Sequence, residues 1–329
     1  MIIAKTPYRI SFFGGGTDYP SYFKESGGQV LSTSFNKFCY ISVRHLPPFF
    51  KHKHRIVYSE VENVAKISDI SHAAVRAILS EYDDGSGYEI HHDGDLPARS
   101  GLGSSSCFLV GLVHAMRALR GDFSSKKTLA QEALRFEQTV LMENVGSQDQ
   151  VSTAYGGLNK IEFSQNGDFN VSTVVLPKGR KDRLEGNLML FFTGITRNAT
   201  DIVQEQLNNT KNNNDYLSNM FNQVDEAIDI LSSEDKELDG FGRLLHEGWL
   251  LKKRLSTQIS NSFIDSIYET ARKNGALGGK LLGAGGGGFI LFYVEPCYQQ
   301  NILEALSDLV HIPFQFENSG SSIIVYEPE

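Results

Sequence analysis

Residues 104–119, SSSCFLVGLVHAMRAL, leave a chain little freedom. At about 3.6 residues per turn, Phe108, Leu109, Val110, Leu112, Val113, Met116 and Leu119 point almost all round the helix axis. A helix without a polar face has to be enclosed by other elements. It is too short to span a membrane, and no run of about 18 apolar residues occurs in the sequence. The fold must therefore wrap strands and helices around this segment.

Alternation and turn residues predict strands at 2–5, 8–13, 29–33, 38–45, 55–59 and 88–92, interrupted by a helix at 72–82. After the apolar helix, the patterns predict an amphipathic helix over 126–143 and strands at 157–163, 171–176 and 187–193. Helices over 198–211, 215–232, 238–255, 262–273 and 298–309 follow, with strands at 278–283, 288–294 and 322–326. Strands do not alternate strictly with helices, so the expected class is α+β with mixed or antiparallel sheets. The 329 residues exceed the roughly 250–300 that one core usually supports. The polar stretch PKGRKDRLEGN (177–187) marks the expected boundary, giving domains 1–182 and 183–329.

A net charge of −8 without a polybasic block argues against nucleic acid as a partner. Cys39, Cys107 and Cys297 are far apart and form no CxxC, so neither a zinc site nor a disulfide framework is expected. That usage fits a reducing cytoplasm. The opening MIIAKTPYRISFF is interrupted too early for a secretory signal. The expectation is a cytoplasmic protein without a membrane partner.

Three glycine-rich stretches concentrate the chemistry. In LPARSGLGSSS (96–106), Pro97 starts a turn, Gly101 and Gly103 allow backbone shapes closed to other residues, and Ser104, Ser105 and Ser106 open the apolar helix. Amides at a helix N-terminus after a glycine turn suit an anion, typically phosphate. A plain serine-capped helix is the alternative. No Gly-Lys-Ser/Thr ends the stretch, so it is not a Walker A loop. PYRISFFGGGTDYP (7–20) is a strand running into Gly14, Gly15 and Gly16, then Thr17 and Asp18. Asp18 offers two acceptors suited to vicinal sugar hydroxyls, or closes a hairpin as a cap. Arg9 lies on the strand face opposite Tyr8 and Ile10 and could point at a ligand anion. GAGGGGFILFYVEP (283–296) matches the dinucleotide spacing Gly-x-Gly-x-x-Gly, but a strand follows it rather than a helix. It reads instead as a wall of bare backbone joining two strands, with Gly285, Gly286 and Gly287 approaching a substrate.

Two carboxylates stand out. On a helix over 126–143, Glu137 falls within about 60° of Ala130, Ala133, Leu134, Val140 and Leu141, in the middle of the apolar stripe. A buried carboxylate has to be paired or coordinate a metal. An ion pair or cap is one solution and a Mg²⁺ ligand beside the phosphate loop the other. Asp149, in GSQDQVSTAYGG (146–157), reads on its own as a helix N-cap.

Taken together, these stretches resemble the three motifs of the GHMP kinases, in the same order and over nearly the whole chain. The first resembles residues 7–19. The second, Pro-x-x-x-Gly-Leu-x-Ser-Ser-Ala, matches Pro97 to Ser106 with Ser106 in place of Ala. The third, Lys-Leu-x-Gly-Ala-Gly-Gly-Gly-Gly, matches Lys280 to Gly288. The resemblance implies a two-domain fold with the active site in the cleft between domains, and phosphoryl transfer from ATP with Mg²⁺ to a small-molecule sugar or sugar phosphate. It implies ATP binding by Pro97, Ser100, Gly101, Leu102, Gly103, Ser104, Ser105 and Ser106, and Mg²⁺ held by Ser105 and Glu137. Asp149 would be the catalytic carboxylate, with Arg9 beside the transferred phosphate. Gly14, Gly15, Gly16, Thr17, Asp18, Asp149, Arg197, Gly285, Gly286 and Gly287 would bind the substrate. Gly15-Gly16 stands where galactokinases carry Glu-His, which puts galactose in doubt. FFGGGTDYP, SQDQ and TGITRNA (193–199) look most like the kinases of D-glycero-D-manno-heptose 7-phosphate, with L-fucose kinases as the rival branch. A phosphorylated substrate needs a second anion site, for which Arg197, Lys252, Lys253 and Arg254 are candidates.

Overall fold

The computed structural model describes residues 1–196, 202–205 and 213–328. Two sheets organise them. The larger contains β1 (Ile2–Phe13), β2 (Gly28–His45), β3 (His54–Val57), β4 (Val61–Val64), β5 (Tyr88–Gly94), β6 (Leu158–Phe163) and β7 (Phe169–Thr173). The smaller holds β8 (Leu188–Phe192), β9 (Ala276–Leu281), β10 (Phe289–Val294) and β11 (Val310–His311), in the order β11-β8-β10-β9. The chain then returns to the larger sheet with β12 (Phe316–Glu317) against β2 and β13 (Ser322–Tyr326) against β1. Helices pack on both sheets, which gives the expected α+β architecture.

The paired strands expected at 2–5 and 8–13 are one strand, as are those at 29–33 and 38–45. β2 changes partner along its length: Gly28–Thr33 pair with β6, and Cys39–His45 pair with β5. Register shifts in the β1–β2 ladder near Pro7 and Ser11 accompany that change. Pro7 has no N–H to give the ladder, so an irregularity there is expected.

The apolar helix Ser104–Leu119 lies on β1, β2 and β13, and helices Lys126–Arg135 and Gln148–Tyr155 cover its other side. Cys107, Val110, Leu112, Val113, Ala115 and Met116 are fully enclosed, as a helix without a polar face requires. β10 explains the unbroken run FILFYV. Phe289, Leu291 and Tyr293 join the core that includes the apolar helix, while Ile290, Phe292 and Val294 face a second core with Trp249, Tyr268 and Ile264. Both faces of the strand are buried, so nothing polar alternates.

Three expectations change. The helix predicted to 143 ends at Arg135 and passes into a wider π-turn, Phe136–Val140, that carries Glu137. The segment 177–187 contains a helix, Arg180–Gly186, anchored by Arg180, whose guanidinium donates to Ile230 O at 2.6 Å and Lys236 O at 2.7 Å. The boundary expected at 182/183 falls inside that helix, and β12 and β13 cross back over it to the first sheet. The helix expected at 198–211 lies mostly outside the described residues; residues 202–205 are helical. No helix among the described residues is long and apolar enough to cross a membrane.

Candidate active site

A cleft of about 670 Å³ opens where the two sheets meet. It is lined by parts of the 99–106 loop, by Gly15, Gly16 and Asp18, by residues from segments 142–146 and 148–150, by Lys252 and Lys280, and by parts of the 282–287 loop. Both glycine loops are therefore walls of one cavity. They touch through backbone: a Cβ on Gly283 would lie 2.4 Å from Gly101 Cα, and one on Gly288 would lie 2.1 Å from Ser100 O. Neither position leaves room for a side chain, and both have positive φ.

At the mouth of the apolar helix, Gly103 takes the N-cap position with φ 76°, and no side chain caps the end. Its first amides are free to meet an anion in the cleft. Gly101, Gly103, Ser104, Ser105 and Ser106 line the cavity. Pro97, Ser100 and Leu102 do not; they shape the loop. Ser100 Oγ donates to Pro97 O at 2.6 Å, and Leu102 O accepts from the Arg9 amide at 3.2 Å. Arg99 lines the cleft with φ 57°, a strained backbone for a non-glycine residue.

Arg9 and Asp149 form the central pair. Arg9 Nε and Nη2 each donate to a different oxygen of Asp149 at 2.7 Å, and Nη1 donates to Gly101 O at 2.7 Å. The guanidinium thus ties the carboxylate to the glycine turn of the loop. Both line the cavity, but the Arg9 side chain is 4% exposed and that of Asp149 24%, so the carboxylate is the more open of the two. The φ of 76° favours glycine at position 103, and a Cβ there would sit tightly against Asp149 Oδ2 at 3.3 Å and Arg9 Cγ at 3.4 Å.

Asp149 sits in the first turn of helix Gln148–Tyr155, which Asp18 holds in place. Asp18 Oδ2 accepts the Gln148 amide at 3.2 Å, Oδ1 accepts the Gly16 amide at 2.9 Å, and its carbonyl accepts the Ser147 amide at 2.9 Å. The Asp18 carboxylate fills the space where Gly146 would carry a Cβ. Burial pushes the Asp18 carboxyl above its ordinary range, and nearby Asp149 adds to the rise. Asp18 therefore borders the cavity yet spends one carboxyl oxygen on the helix that carries Asp149 and the other on its own turn at Gly16. Thr17 is fully buried and donates to Gly14 O at 2.8 Å and Gln29 O at 2.9 Å. It locks the turn rather than facing the cleft, and Gly14 likewise abuts Gln29 O. Of the first glycine run, Gly15 and Gly16 reach the cavity.

Glu137 is buried, at 1% exposure, with only neutral donors on it. Ser105 Oγ donates to it at 3.2 Å, Ser106 Oγ at 3.0 Å, and Gln150 Nε2 also donates. Burial pushes its carboxyl up to about 7. No cation among the described residues balances its charge. Gln150 Oε1, on the same cluster, is buried without a partner. A carboxylate, a hydroxyl and an unused amide oxygen at the edge of a phosphate loop suit Mg²⁺, which takes few protein oxygens and shares phosphate oxygens and water.

The third motif divides. Gly285 and Gly287 line the cleft, whereas Gly286 is tied by its amide to Ile259 O at 2.8 Å. Arg197 lies outside the described residues. Of the other anion candidates, Lys253 pairs with Asp265 at 3.2 Å, Arg254 is exposed away from the cavity, and Lys252 is buried at its edge. Gln150, Arg99 and Lys280 carry no site role in the sequence reading. All three lie inside stretches singled out in the sequence, Lys280 in the third motif, Arg99 in the second and Gln150 in SQDQ, but at positions whose side chains carried no stated role.

The sequence pattern of the GHMP kinases N terminal domain matches residues 69–157, and that of the GHMP kinases C terminal matches residues 209–311. The chain is 29% identical over 316 residues to a D-glycero-alpha-D-manno-heptose 7-phosphate kinase of Campylobacter jejuni, covering 93% of each chain. It is 27% identical over 337 residues to an L-fucokinase/L-fucose-1-P guanylyltransferase of Bacteroides fragilis, covering 88% of this chain and 34% of that one. A solved D-glycero-D-manno-heptose 1-phosphate kinase from Bacteroides thetaiotaomicron shares the fold with a TM-score of 0.74 at 24% identity, covering 99% of this chain and 100% of that one. With both domains of one family matched in order and the fold shared end to end, the chain belongs to the GHMP kinases and is an ATP-dependent phosphotransferase.

Proposed function

We propose that this protein transfers the γ-phosphoryl group of ATP to the C1 hydroxyl of D-glycero-D-manno-heptose 7-phosphate, giving the 1,7-bisphosphate and ADP. The observation that carries the chemistry is the Arg9–Asp149 pair, a partly exposed carboxylate held on both oxygens by a guanidinium that is tied to Gly101. The likeness to the Campylobacter jejuni kinase over 93% of the chain supports the acceptor.

In this reading the amides of Ser104 to Ser106 cradle the triphosphate at the helix N-terminus. Ser105 and Glu137 would hold Mg²⁺, with Gln150 Oε1 within the same cluster; the ion supplies charge neutralisation on the phosphate oxygens when bound. Asp149 takes the proton of the C1 hydroxyl. The freed oxygen forms its bond to the γ-phosphorus as the bond to the bridging oxygen breaks, and that electron pair leaves with ADP. Arg9 keeps Asp149 from rotating and supplies positive charge beside the transferring group. An anomeric hydroxyl is more acidic than an ordinary alcohol, so a carboxylate held by a guanidinium is a sufficient base. A reaction that draws on ATP, in a chain whose three cysteines are free, fits the cytoplasm.

Coupled ADP-release assays with heptose 7-phosphate, unphosphorylated heptose, L-fucose and galactose test the assignment. Turnover is expected with heptose 7-phosphate. Robust turnover with L-fucose and none with either heptose would replace it by the second reading, which the Bacteroides fragilis relative supports.

A further inference from the structure

Two lysines in the cleft have no role in the mechanism above. Lys252 and Lys280 are 8% and 6% exposed, and both line the cavity. Lys252 Nζ donates to Leu281 O at 2.8 Å and to Gly283 O at 2.5 Å. Lys280 Nζ donates to Phe12 O at 2.7 Å. Among the described residues, no carboxylate forms an ion pair with either. Burial pushes both ammonium groups down, Lys280 to about 7; Lys280 and then Arg9 push Lys252 further, while Arg9 pushes Lys280 further and Asp18 only partly offsets it.

Unpaired buried ammonium groups are unfavourable, and an apolar side chain of similar size would fill the same space at less cost. Main-chain carbonyls do not balance their charge. Each ammonium has three donors, so Lys252 keeps one and Lys280 two. The location limits what those donors meet. The Gly283 carbonyl that Lys252 holds lies at the backbone contact between Gly283 and Gly101, and Arg9 grips Gly101 O at the same junction. Lys280 holds the end of β1, just before the turn that leads to Asp18.

We infer that Lys252 and Lys280 form a second phosphate-binding pair, beside the junction of the two glycine loops, that takes phosphoryl oxygens. A kinase offers two sources for that group: the terminal phosphoryl of the nucleotide, and a phosphate already on the acceptor. The second source rests on the heptose 7-phosphate reading; the first rests only on the chain being a kinase.

The test uses the full chain and the variants Lys252→Met and Lys280→Met. Calorimetry measures Kd, with Mg²⁺ present, for AMP-PNP against ADP and for heptose 7-phosphate against unphosphorylated heptose, with melting curves alongside. The pair predicts that the preference for the more phosphorylated member falls at least about tenfold in Lys252→Met, and in the same direction in Lys280→Met. A fall confined to the nucleotides identifies the transferred phosphoryl, and a fall confined to the sugars identifies the acceptor's phosphate. If no heptose binds at all, the acceptor assignment fails and the nucleotides decide alone. Preferences unchanged within about twofold, whatever the melting temperatures do, overturn the pair and leave the lysines as ties between strands. Should a variant fail to fold, the lysine ¹³Cε and ¹⁵Nζ signals of the unsubstituted protein are followed on adding AMP-PNP or heptose 7-phosphate. Two perturbed lysine signals that move with neither ligand overturn it equally.

Discussion

Replacing Glu137 by Gln should stabilise the metal-free protein at alkaline pH while destroying its response to Mg²⁺. The carboxyl has an ordinary value of 4.5 and is pushed to about 7 in the folded state. The unfolded chain therefore gives up its proton first. Between those two values the folded state holds one more proton, so stability falls as pH rises from 4.5 towards 7 and is level beyond. That 2.5-unit gap corresponds to about 3 kcal/mol in total, of which about 2 kcal/mol falls between about pH 5.5 and about pH 8. Glu137→Gln removes the titration but keeps the shape. Its carbonyl oxygen can accept from Ser105 and Ser106, and Gln150 can rotate its unpartnered Oε1 onto the new amide. Urea unfolding in EDTA should thus show the variant ahead by about 2–3 kcal/mol at about pH 8 and by about 1 kcal/mol at about pH 5.5. With Mg²⁺ and AMP-PNP the order should reverse, since only the parent gains a carboxylate ligand. A variant less stable than the parent in EDTA at both pH values would refute the reasoning, because the buried charge would then have a partner that this account lacks.

Asp149→Asn should lower kcat by about 10²- to 10⁴-fold with the melting temperature held; a loss smaller than about tenfold in steady-state assays would remove it as the base. Asp18→Asn should act through Asp149. One amide, that of Gly16 or Gln148, loses its acceptor, at about 1–3 kcal/mol, and kcat should fall more than the KM for ATP changes; a rise in sugar KM alone would instead place Asp18 on the substrate. Gly283→Ala puts a Cβ 2.4 Å from Gly101 Cα with φ at +69°, so turnover should be lost with circular dichroism in the far ultraviolet unchanged; near-normal turnover would mean that the two glycine loops do not need to touch.

The parts of this site that were legible in the sequence are those fixed by local pattern. The apolar helix, the strand after the glycine loop and the odd placement of Glu137 each follow from periodicity. The glycine loops were legible as close approach, although not what they approach. Gly283 and Gly101 are bare because of each other, across 182 positions that carry no local signal. For a similar reason, helix Gln148–Tyr155 was legible only as a cap at Asp149, which in fact lies in its first turn after Ser147. Its residues include two β-branched ones and several polar ones, with weak intrinsic preference for helix. Its N-terminus is capped from Asp18, on another element altogether. Asp18 then looked like a sugar ligand, because its acceptors were visible and the amides that occupy them were not. Only the resemblance assigns Thr17 to the substrate, and no local pattern announces its burial under the turn. The π-turn at Phe136–Val140 widens the helix by one residue where Glu137 turns towards Ser105, and regular periodicity contains no hint of it.

The pairing of β13 with β1 sets a clock on synthesis. Ile2 and Ile3 meet Tyr326 and Val325, and buried Thr6 shares a hydrogen bond with Ser321. At about 5–20 residues per second, the first strand waits roughly 15–65 s after leaving the ribosome for the strand that covers its edge. Over that interval β1 presents open main-chain donors and acceptors, and the apolar helix lacks one of its walls. Arg9 and the 101–106 loop are made well before the strand that completes the sheet beneath them, so newly made chains depend on whatever shields that edge in the meantime.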